Sequence, residues 1–130
     1  QQYFDLVDKA VKSNLFDVVG HLDLIKIWGH KPRRKGIIDY IKPVLSSIKD
    51  ADLVVELNSA GLRKEVREIY PQYEIISLMK EMGINITLGS DAHHPNQVGL
   101  DIDKLVFWAK KAGYNNIVSF NKREKTLLPL

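Results

Sequence analysis

In Met79-Lys80-Glu81-Met82-Gly83-Ile84-Asn85 a helical pattern ends at a glycine and an apolar run begins. The stretch Ala109-Lys110-Lys111-Ala112-Gly113-Tyr114-Asn115 repeats this form. A glycine in the left-handed conformation commonly ends a helix, and the apolar residue behind it packs on the last turn. Helix, glycine and strand at a period of about 30 residues predict repeated βα units with parallel strands.

The rest of the chain continues this alternation. Short apolar runs predict strands at about 16–20, 52–57, 84–89 and 116–120, and apolar residues at helical spacing predict helices at 3–13, 36–49, 73–82 and 102–112. Pro43 would kink the second helix unless that helix starts near Lys42. The fold class is therefore α/β, as an open sheet or a barrel, and in both the reactive groups gather at the carboxyl ends of the strands.

Composition limits the function classes. The chain has 130 residues, 45% of them hydrophobic and 27% charged, as expected for one globular domain. The net charge of +3 and the single basic run, Lys31 to Lys35, which we expect to be a solvated loop, give no case for a nucleic-acid partner. Cysteine is absent, so a metal would need nitrogen and oxygen ligands. There is no signal peptide and no bilayer-length apolar run, so we expect a cytoplasmic protein without membrane contact.

Polar and ionisable residues follow the predicted strands. They are His21 and Asp23 after the first strand, Glu56, Asn58 and Arg63 at the end of the second, Asp91, His93 and His94 after the third, and Ser119 and Asn121 at the end of the fourth. The opposite ends of the strands carry helix caps and no such group. The carboxyl edge of the sheet is therefore the candidate site.

Two of these strand ends suggest metal ligands. In extended chain, residues two apart point to the same side, so Asp91 and His93 could reach one metal ion. His21 is a further candidate ligand, and Asp23 could accept a hydrogen bond from an imidazole. The alternatives are that Asp91 caps a following helix and that the histidines are satisfied by neighbouring loops.

The segment from Asn58 to Lys64 suggests an anion site. It offers backbone N–H groups, a hydroxyl, an amide and the guanidinium of Arg63, which can hold a phosphate through two hydrogen bonds. A surface salt bridge is the alternative for Arg63 and for Lys26. For Glu56 the sequence leaves three roles open: a metal ligand, a base, or a partner that orients Arg63.

Taken together, four segments resemble one known family. They are Gly20-His21-Leu22-Asp23, Val55-Glu56-Leu57-Asn58-Ser59-Ala60-Gly61-Leu62-Arg63, Ile69-Tyr70-Pro71 and Leu88-Gly89-Ser90-Asp91-Ala92-His93. In order and spacing they resemble the C-terminal half of histidinol-phosphate phosphatases, of the polymerase and histidinol phosphatase (PHP) family. The match covers about residues 15–100, and the Asn-Ser-Ala-Gly-Leu-Arg segment favours the phosphatase branch over the polymerase branch.

The resemblance implies a distorted barrel of seven βα units with two or three divalent metal ions, Zn, Mn or Fe, in its mouth. It implies that the metal ligands include His21, Asp91 and His93, and that Arg63 grips the substrate phosphate with Asn58 in the same loop. Lys26 stands where another basic phosphate contact, often arginine, is expected. His94 falls beside the metals, where it would contact the substrate or protonate the leaving alkoxide, and Asp23 is the other candidate proton donor.

One departure from the family is large. The His-x-His motif and the next His and Glu ligands are missing, and nothing before His21 can replace them. We therefore expect residues 1–130 to be a single partial domain, the C-terminal half of a PHP barrel, inactive without the N-terminal half. The intact parent would hydrolyse L-histidinol phosphate to L-histidinol and phosphate in histidine biosynthesis. The alternatives are a PHP phosphoesterase for nucleotides or another phosphoester, and a non-catalytic PHP-like module.

Overall fold

The computed structural model describes residues 1–30 and 36–130, so the basic run at 31–35, predicted to be a loop, lies outside the described residues. In the described part, the α-helices are α1 (Gln2–Lys12), α2 (Ile37–Asp50), α3 (Tyr73–Glu81) and α4 (Ile102–Lys111). The strands are β1 (Val18–Val19), β2 (Val54–Asn58), β3 (Ile86–Gly89), β4 (Asn116–Asn121) and β5 (Glu124–Pro129). The predicted helices are thus all present, with ends shifted by one or two residues. None of the described helices has both the length and the apolar character needed to cross a membrane.

The central sheet is parallel and has β2 in the middle, in the order β1-β2-β3. Val18 pairs with Val54, and Asn58 pairs with Gly89, so the carboxyl ends of the three strands point to the same edge, with β1 ending earlier than β2 and β3. Val54, Val55 and Leu57 of β2 are fully buried, as expected for a strand covered on both faces. Glu56 is the one partly exposed residue of this strand, and its carboxylate lies at the carboxyl edge.

Helix α2 packs through an apolar stripe of four buried residues, Ile41, Val44, Leu45 and Ile48. The helix does not start near Lys42, the alternative to a kink at Pro43, but runs from Ile37 to Asp50 with Pro43 inside it. Pro43 lies on the exposed face, where water can hydrate the carbonyl group of Asp39 that has lost its helical partner.

The two predicted glycine caps are confirmed. Gly83 and Gly113 have φ angles of 69° and 96°, in the left-handed region. Behind them the N–H of Ile84 donates to Met79 O at 2.9 Å, and the N–H of Tyr114 donates to Ala109 O at 3.0 Å. Both residues that follow the glycines are buried, so each cap turns the chain from a helix into the core.

The prediction of a fourth parallel strand was wrong. Strand β4 pairs antiparallel with β5 in a separate two-stranded sheet, joined by a two-residue turn in which Lys122 and Arg123 have positive φ. The chain after Asn121 has no strong alternation of apolar and polar residues, which is why β5 was missed. The α/β class with parallel strands is confirmed for β1 to β3, while the closed seven-unit barrel stays a prediction.

Two ion pairs attach this hairpin to the amino-terminal edge of the central sheet. The guanidinium of Arg123 donates to both oxygens of Asp17, at 2.8 and 3.0 Å, just before β1. The ammonium of Lys125 contacts the carboxylate of Asp52 at 2.7 Å, just before β2. The hairpin therefore closes the edge opposite the candidate site.

Candidate functional site

The imidazole of His21 lies between two carboxylates. Its Nε2 is 3.3 Å from Oδ2 of Asp91, and its Nδ1 is 3.7 Å from Oε2 of Glu56. His21 follows β1, Glu56 is on β2, and Asp91 follows β3, so the parallel sheet alone brings together three residues that are far apart in sequence. The side chains of His21 and Asp91 are 32% and 35% exposed, which leaves the pair accessible to a ligand.

Glycines on both sides make room for Glu56. A Cβ atom at Gly89 would overlap Oε1 of Glu56, and one at Gly20 would lie 3.2 Å from Oε2. The same carboxylate accepts a hydrogen bond of 2.9 Å from Nδ2 of Asn58. Glu56 therefore fills the space between the ends of β1 and β3, which Gly20 and Gly89 leave open.

The backbone turns sharply at both members of the His21–Asp91 pair. Their φ angles are 51° and 49°, in the left-handed region that non-glycine residues seldom adopt. The carbonyl oxygen of His21 accepts a hydrogen bond of 2.9 Å from the hydroxyl of Tyr3, on α1. Such conformations persist where the surroundings hold them, and they concentrate at functional sites.

The extended geometry assumed for Asp91 and His93 is not present, although their side chains lie close to each other. Strand β3 ends at Gly89, and the left-handed turn at Asp91 breaks the extended geometry on which that argument rested. Instead Nδ1 of His93 is 2.9 Å from the carbonyl oxygen of Asp91 and 4.0 Å from its Oδ1. Because a carbonyl only accepts, Nδ1 carries the proton and Nε2 keeps a free lone pair, in a side chain that is 73% exposed.

The imidazole nitrogens and carboxylate oxygens at this edge fit a metal ion only as part of a larger set of ligands. Imidazole nitrogen and carboxylate oxygen suit Zn²⁺, Mn²⁺ and Fe²⁺. The 3.3 Å between His21 Nε2 and Asp91 Oδ2 matches two ligands on one tetrahedral ion with bonds of about 2.0–2.1 Å. Across residues 1–30 and 36–130, however, no group of three or more His, Asp or Glu side chains is arranged to hold a metal. The predicted metals therefore stay predictions.

Arg63 lies next to this pair, at the end of the turn Ser59–Arg63 that follows β2. Its Nη2 donates to the carbonyl oxygen of Ser90 at 2.5 Å, one residue before Asp91. Its Nη1 is buried and has no acceptor among the described residues. The turn is fixed by a hydrogen bond of 2.8 Å from the N–H of Ala60 to Asn58 Oδ1, so the guanidinium is held with one donor to spare.

Asp23 and Lys26 form a buried pair. Oδ2 of Asp23 is 3.0 Å from Nζ of Lys26 and accepts a hydrogen bond of 2.9 Å from the N–H of Gln72. The ammonium also donates to Ile69 O at 2.8 Å and to Glu68 Oε2 at 3.0 Å. Burial raises the pKa of Asp23, and the charge of Lys26 opposes that rise. In this arrangement the ammonium is fully engaged by protein acceptors.

The predicted residues are thus brought together only in part. His21, Asp91, His93 and Arg63 meet at one edge, while Asn58 is buried at the end of β2 and His94 is exposed in the same loop as Asp91. In the described part of the chain, no hydrogen bond or ion pair joins Asp23 or Lys26 to Asp91, Arg63 or His94. Tyr3 and Tyr70 both contact His21, and the sequence patterns predicted a role for neither of them. Tyr70 stood in a segment quoted only for its resemblance, and Tyr3 had no local signal.

A cavity of about 1070 Å³ lies away from the His21–Asp91 pair. It is bordered by Lys26, Glu68 and Gln72, but not by His21 or Asp91. It is also bordered by His30 and Gly36, which flank the segment 31–35 outside the described residues. The cavity therefore supports no assignment of its own.

The chain is thus an α/β protein whose ionisable residues meet at the carboxyl edge of a parallel sheet. No family model matches the chain. A solved structure from Listeria monocytogenes, described provisionally as a histidinol phosphatase, shares the fold, with a TM-score of 0.70 and 24% identity. The match covers 78% of this chain and 42% of that one.

Curated relatives identify the resemblance more closely. A Deinococcus radiodurans protein named "Probable histidinol-phosphatase" is 36% identical over 124 residues, which are 95% of this chain and 46% of that protein. The "Histidinol-phosphatase" of Saccharomyces cerevisiae is 33% identical over 88 residues, 67% of this chain and 24% of that protein. The predicted resemblance is confirmed: the chain is related to part of the histidinol-phosphatases, and it spans less than half the length of these relatives.

Proposed function

We propose that this chain is the C-terminal part of an enzyme that hydrolyses L-histidinol phosphate to L-histidinol and inorganic phosphate with the help of divalent metal ions. One observation carries the proposal. Arg63 is hydrogen-bonded at 2.5 Å to the carbonyl oxygen of Ser90, and the next residue, Asp91, is paired with His21 at 3.3 Å. A guanidinium suited to binding phosphate and a His–Asp pair suited to binding a metal ion therefore lie side by side.

In this proposal Arg63 binds the phosphoryl group. Its buried Nη1 has no acceptor among the described residues, so it can donate to a phosphate oxygen and offset the negative charge that develops there. Asn58 acts by shaping the turn, because its amide is already bonded to Glu56 and to the N–H of Ala60. Lys26 is engaged with Asp23, Glu68 and Ile69, which leaves Arg63 as the phosphate ligand from this chain.

His21, Asp91 and His93 are the proposed metal ligands of the chain, and the remaining ligands belong to the rest of the parent polypeptide. A divalent ion bound there would lower the pKa of a bound water, so that hydroxide is available near neutral pH. Glu56 faces Nδ1 of His21 at 3.7 Å and would hold the tautomer in which Nε2 is free to bind the metal.

His94 is the more accessible of the two candidate proton donors. Its side chain is exposed in the loop after Asp91, so a bound ester would have access to it. Asp23 is 0% exposed and is bonded to both Lys26 and the N–H of Gln72. We therefore assign the protonation of the leaving alkoxide to His94.

The test is phosphate release from L-histidinol phosphate by the full-length protein that contains this chain, with Mn²⁺ or Zn²⁺ and with a chelator. We expect rapid release that the chelator abolishes. Asp91→Asn and Arg63→Met should each lower kcat/KM by at least about 100-fold while thermal unfolding stays close to that of the wild type. Lys64→Met, in the neighbouring position, is the matched control and should leave kcat/KM nearly unchanged. Wild-type turnover in Asp91→Asn would refute the site.

A second candidate changes only the substrate. A "Probable phosphatase" from Aliivibrio fischeri, whose name gives no substrate, is 31% identical over 94 residues, 34% of that protein. Arg63 and the His21–Asp91 pair would act in the same way on any small phosphate monoester. A panel of sugar, nucleotide and amino-alcohol phosphates, assayed with the same protein, decides between them by kcat/KM.

A further inference from the structure

Tyr70 contacts both halves of the candidate site. Its ring centroid is 5.6 Å from that of the His21 imidazole, and the planes are tilted by 35°. A second contact is with the backbone of Gly61, because a Cβ atom added there would lie only 3.0 Å from Tyr70 Cζ. Gly61 belongs to the turn that carries Arg63, so the ring contacts both the His21 loop and the Arg63 turn.

The position of Tyr70 is fixed from several directions. Its backbone forms an isolated antiparallel bridge with Asn58, in which Asn58 N donates to Tyr70 O at 2.7 Å and Tyr70 N donates to Asn58 O at 3.0 Å. On either side of it, Ile69 O accepts from Lys26 Nζ at 2.8 Å, and the N–H of Gln72 donates to Asp23 at 2.9 Å. The ammonium of Lys26 also lies 5.5 Å from the ring centroid.

The hydroxyl of Tyr70 takes no part in this network. The residue is 1% exposed, and its hydroxyl oxygen has no hydrogen-bond partner within the described ranges 1–30 and 36–130. The contacts that hold the residue are made by its backbone and by the faces and edge of its ring. The role of Tyr70 should therefore depend on an aromatic ring and not on a phenol.

We propose that Tyr70 is a positioning residue: clamped by the buried Asp23–Lys26 pair and by Asn58, its ring fixes the His21 imidazole at a set distance from the Arg63 turn. The pair Asp23–Lys26 thereby acts on the site through Tyr70 and not by contact with a substrate. This inference rests on the proposed function for its kinetic consequence. Its structural part, the contact of the ring with His21, is independent of any substrate.

The kinetic test compares ring-keeping and ring-removing substitutions in the full-length protein. Tyr70→Phe should keep kcat within about threefold of the wild type. Tyr70→Leu and Tyr70→Met should lower kcat by at least about tenfold with little change in KM, because a displaced ligand harms the reaction more than the binding of substrate. Two ring-removing variants are used so that the test survives if one of them fails to fold, as judged by circular dichroism.

A spectroscopic test does not depend on the substrate. A ring this close shifts the imidazole proton resonances of His21, which can be assigned with His21→Gln. We expect these resonances to keep their positions in Tyr70→Phe and to move in Tyr70→Leu and Tyr70→Met. Unchanged resonances in folded ring-removing variants would overturn the proposal, as would a loss of kcat in Tyr70→Phe equal to that in Tyr70→Leu. If L-histidinol phosphate is not hydrolysed at all, the proposed function fails while the resonances still decide the role of Tyr70.

Discussion

The hydroxyl of Tyr114 donates a hydrogen bond of 2.8 Å to the carbonyl oxygen of Ile84, and so joins the two helix-to-strand junctions that share a sequence pattern. Each of these residues directly follows a cap glycine, and each is buried. The repeated pattern is therefore also a point of direct contact between consecutive βα units. The contact is available only because both caps place their apolar residue inside the core.

Removing this hydroxyl should lower stability and change its pH dependence. Tyr114→Phe loses one buried hydrogen bond, so we expect the free energy of unfolding near pH 7 to fall by about 1 kcal/mol. Burial raises the pKa of Tyr114 above its ordinary value of 10.0. The neutral phenol of the folded state therefore contributes stability that is complete below about pH 10 and is lost as pH rises, by up to about 1.4 kcal/mol per pH unit.

Urea unfolding at pH 8 to 11 measures this effect. The loss of stability above pH 10 should be shallower in Tyr114→Phe than in the wild type. Tyr3 and Tyr70, whose pKa values burial also raises, are present in both proteins, so their contributions cancel in the difference. Parallel pH profiles for the two proteins would contradict the assignment.

Gly89 should not tolerate a side chain. A methyl group at this position would overlap Oε1 of Glu56, so Gly89→Ala must displace the carboxylate that faces His21. We expect a loss of about 1–3 kcal/mol in unfolding free energy, together with a loss of activity in the full-length protein. Gly20→Ala, where the contact would be 3.2 Å, is the graded control and should be milder. Equal effects of the two substitutions would argue against Glu56 as the cause.

Single and double substitutions of the buried Asp23–Lys26 pair should lower the free energy of unfolding by different amounts. Lys26→Met leaves the fully buried Asp23 without its cation, so we expect a loss of about 3–5 kcal/mol. The double variant Asp23→Asn with Lys26→Met removes the buried charge as well, and it should recover part of that loss. Guanidinium unfolding of the single and double variants gives the coupling energy, and additive effects would show that the pair is not coupled.

The hairpin ion pairs should stabilise the fold weakly and in a salt-dependent way. Arg123→Met removes two hydrogen bonds to Asp17 at an exposed site, so we expect a small decrease in Tm at low ionic strength. That decrease should shrink in 1 M NaCl, because salt screens the pair in the wild type. Lys122→Met, one residue earlier in the same turn, is the matched control. A decrease that is the same at both salt concentrations would point to packing and not to charge.

Much of the architecture could be read from the sequence because it depends on local patterns. Helix periodicity located α1 to α4, and the glycine caps at Gly83 and Gly113 fixed where two strands begin. The hairpin β4–β5 was missed since its strands are held by pairing with each other and by ion pairs to Asp17 and Asp52, more than 70 residues away in sequence. No local pattern encodes such contacts.

The clustering of the candidate residues was predictable in its location but not in its details. The rule that polar groups gather at the carboxyl ends of parallel strands predicted that His21 and Asp91 lie close together, and they do, at 3.3 Å. It could not foresee that Asp91 takes a left-handed turn, which breaks the extended geometry assumed for His93. Nor could it foresee that Lys26 bends back into the interior to meet Asp23, because long side chains can reach several partners from one backbone position.

The β4–β5 hairpin contacts the sheet at the end opposite His21, Asp91 and Arg63, and its ion pairs to Asp17 and Asp52 share no residue with that site. Substitutions of Arg123 and Lys125 therefore change the stability of the fold without removing any contact of the site. A graded series of such substitutions, measured for both Tm and kcat in the full-length protein, would separate overall stability from catalysis, and a falling Tm with constant kcat would show that the two ends of the sheet work independently.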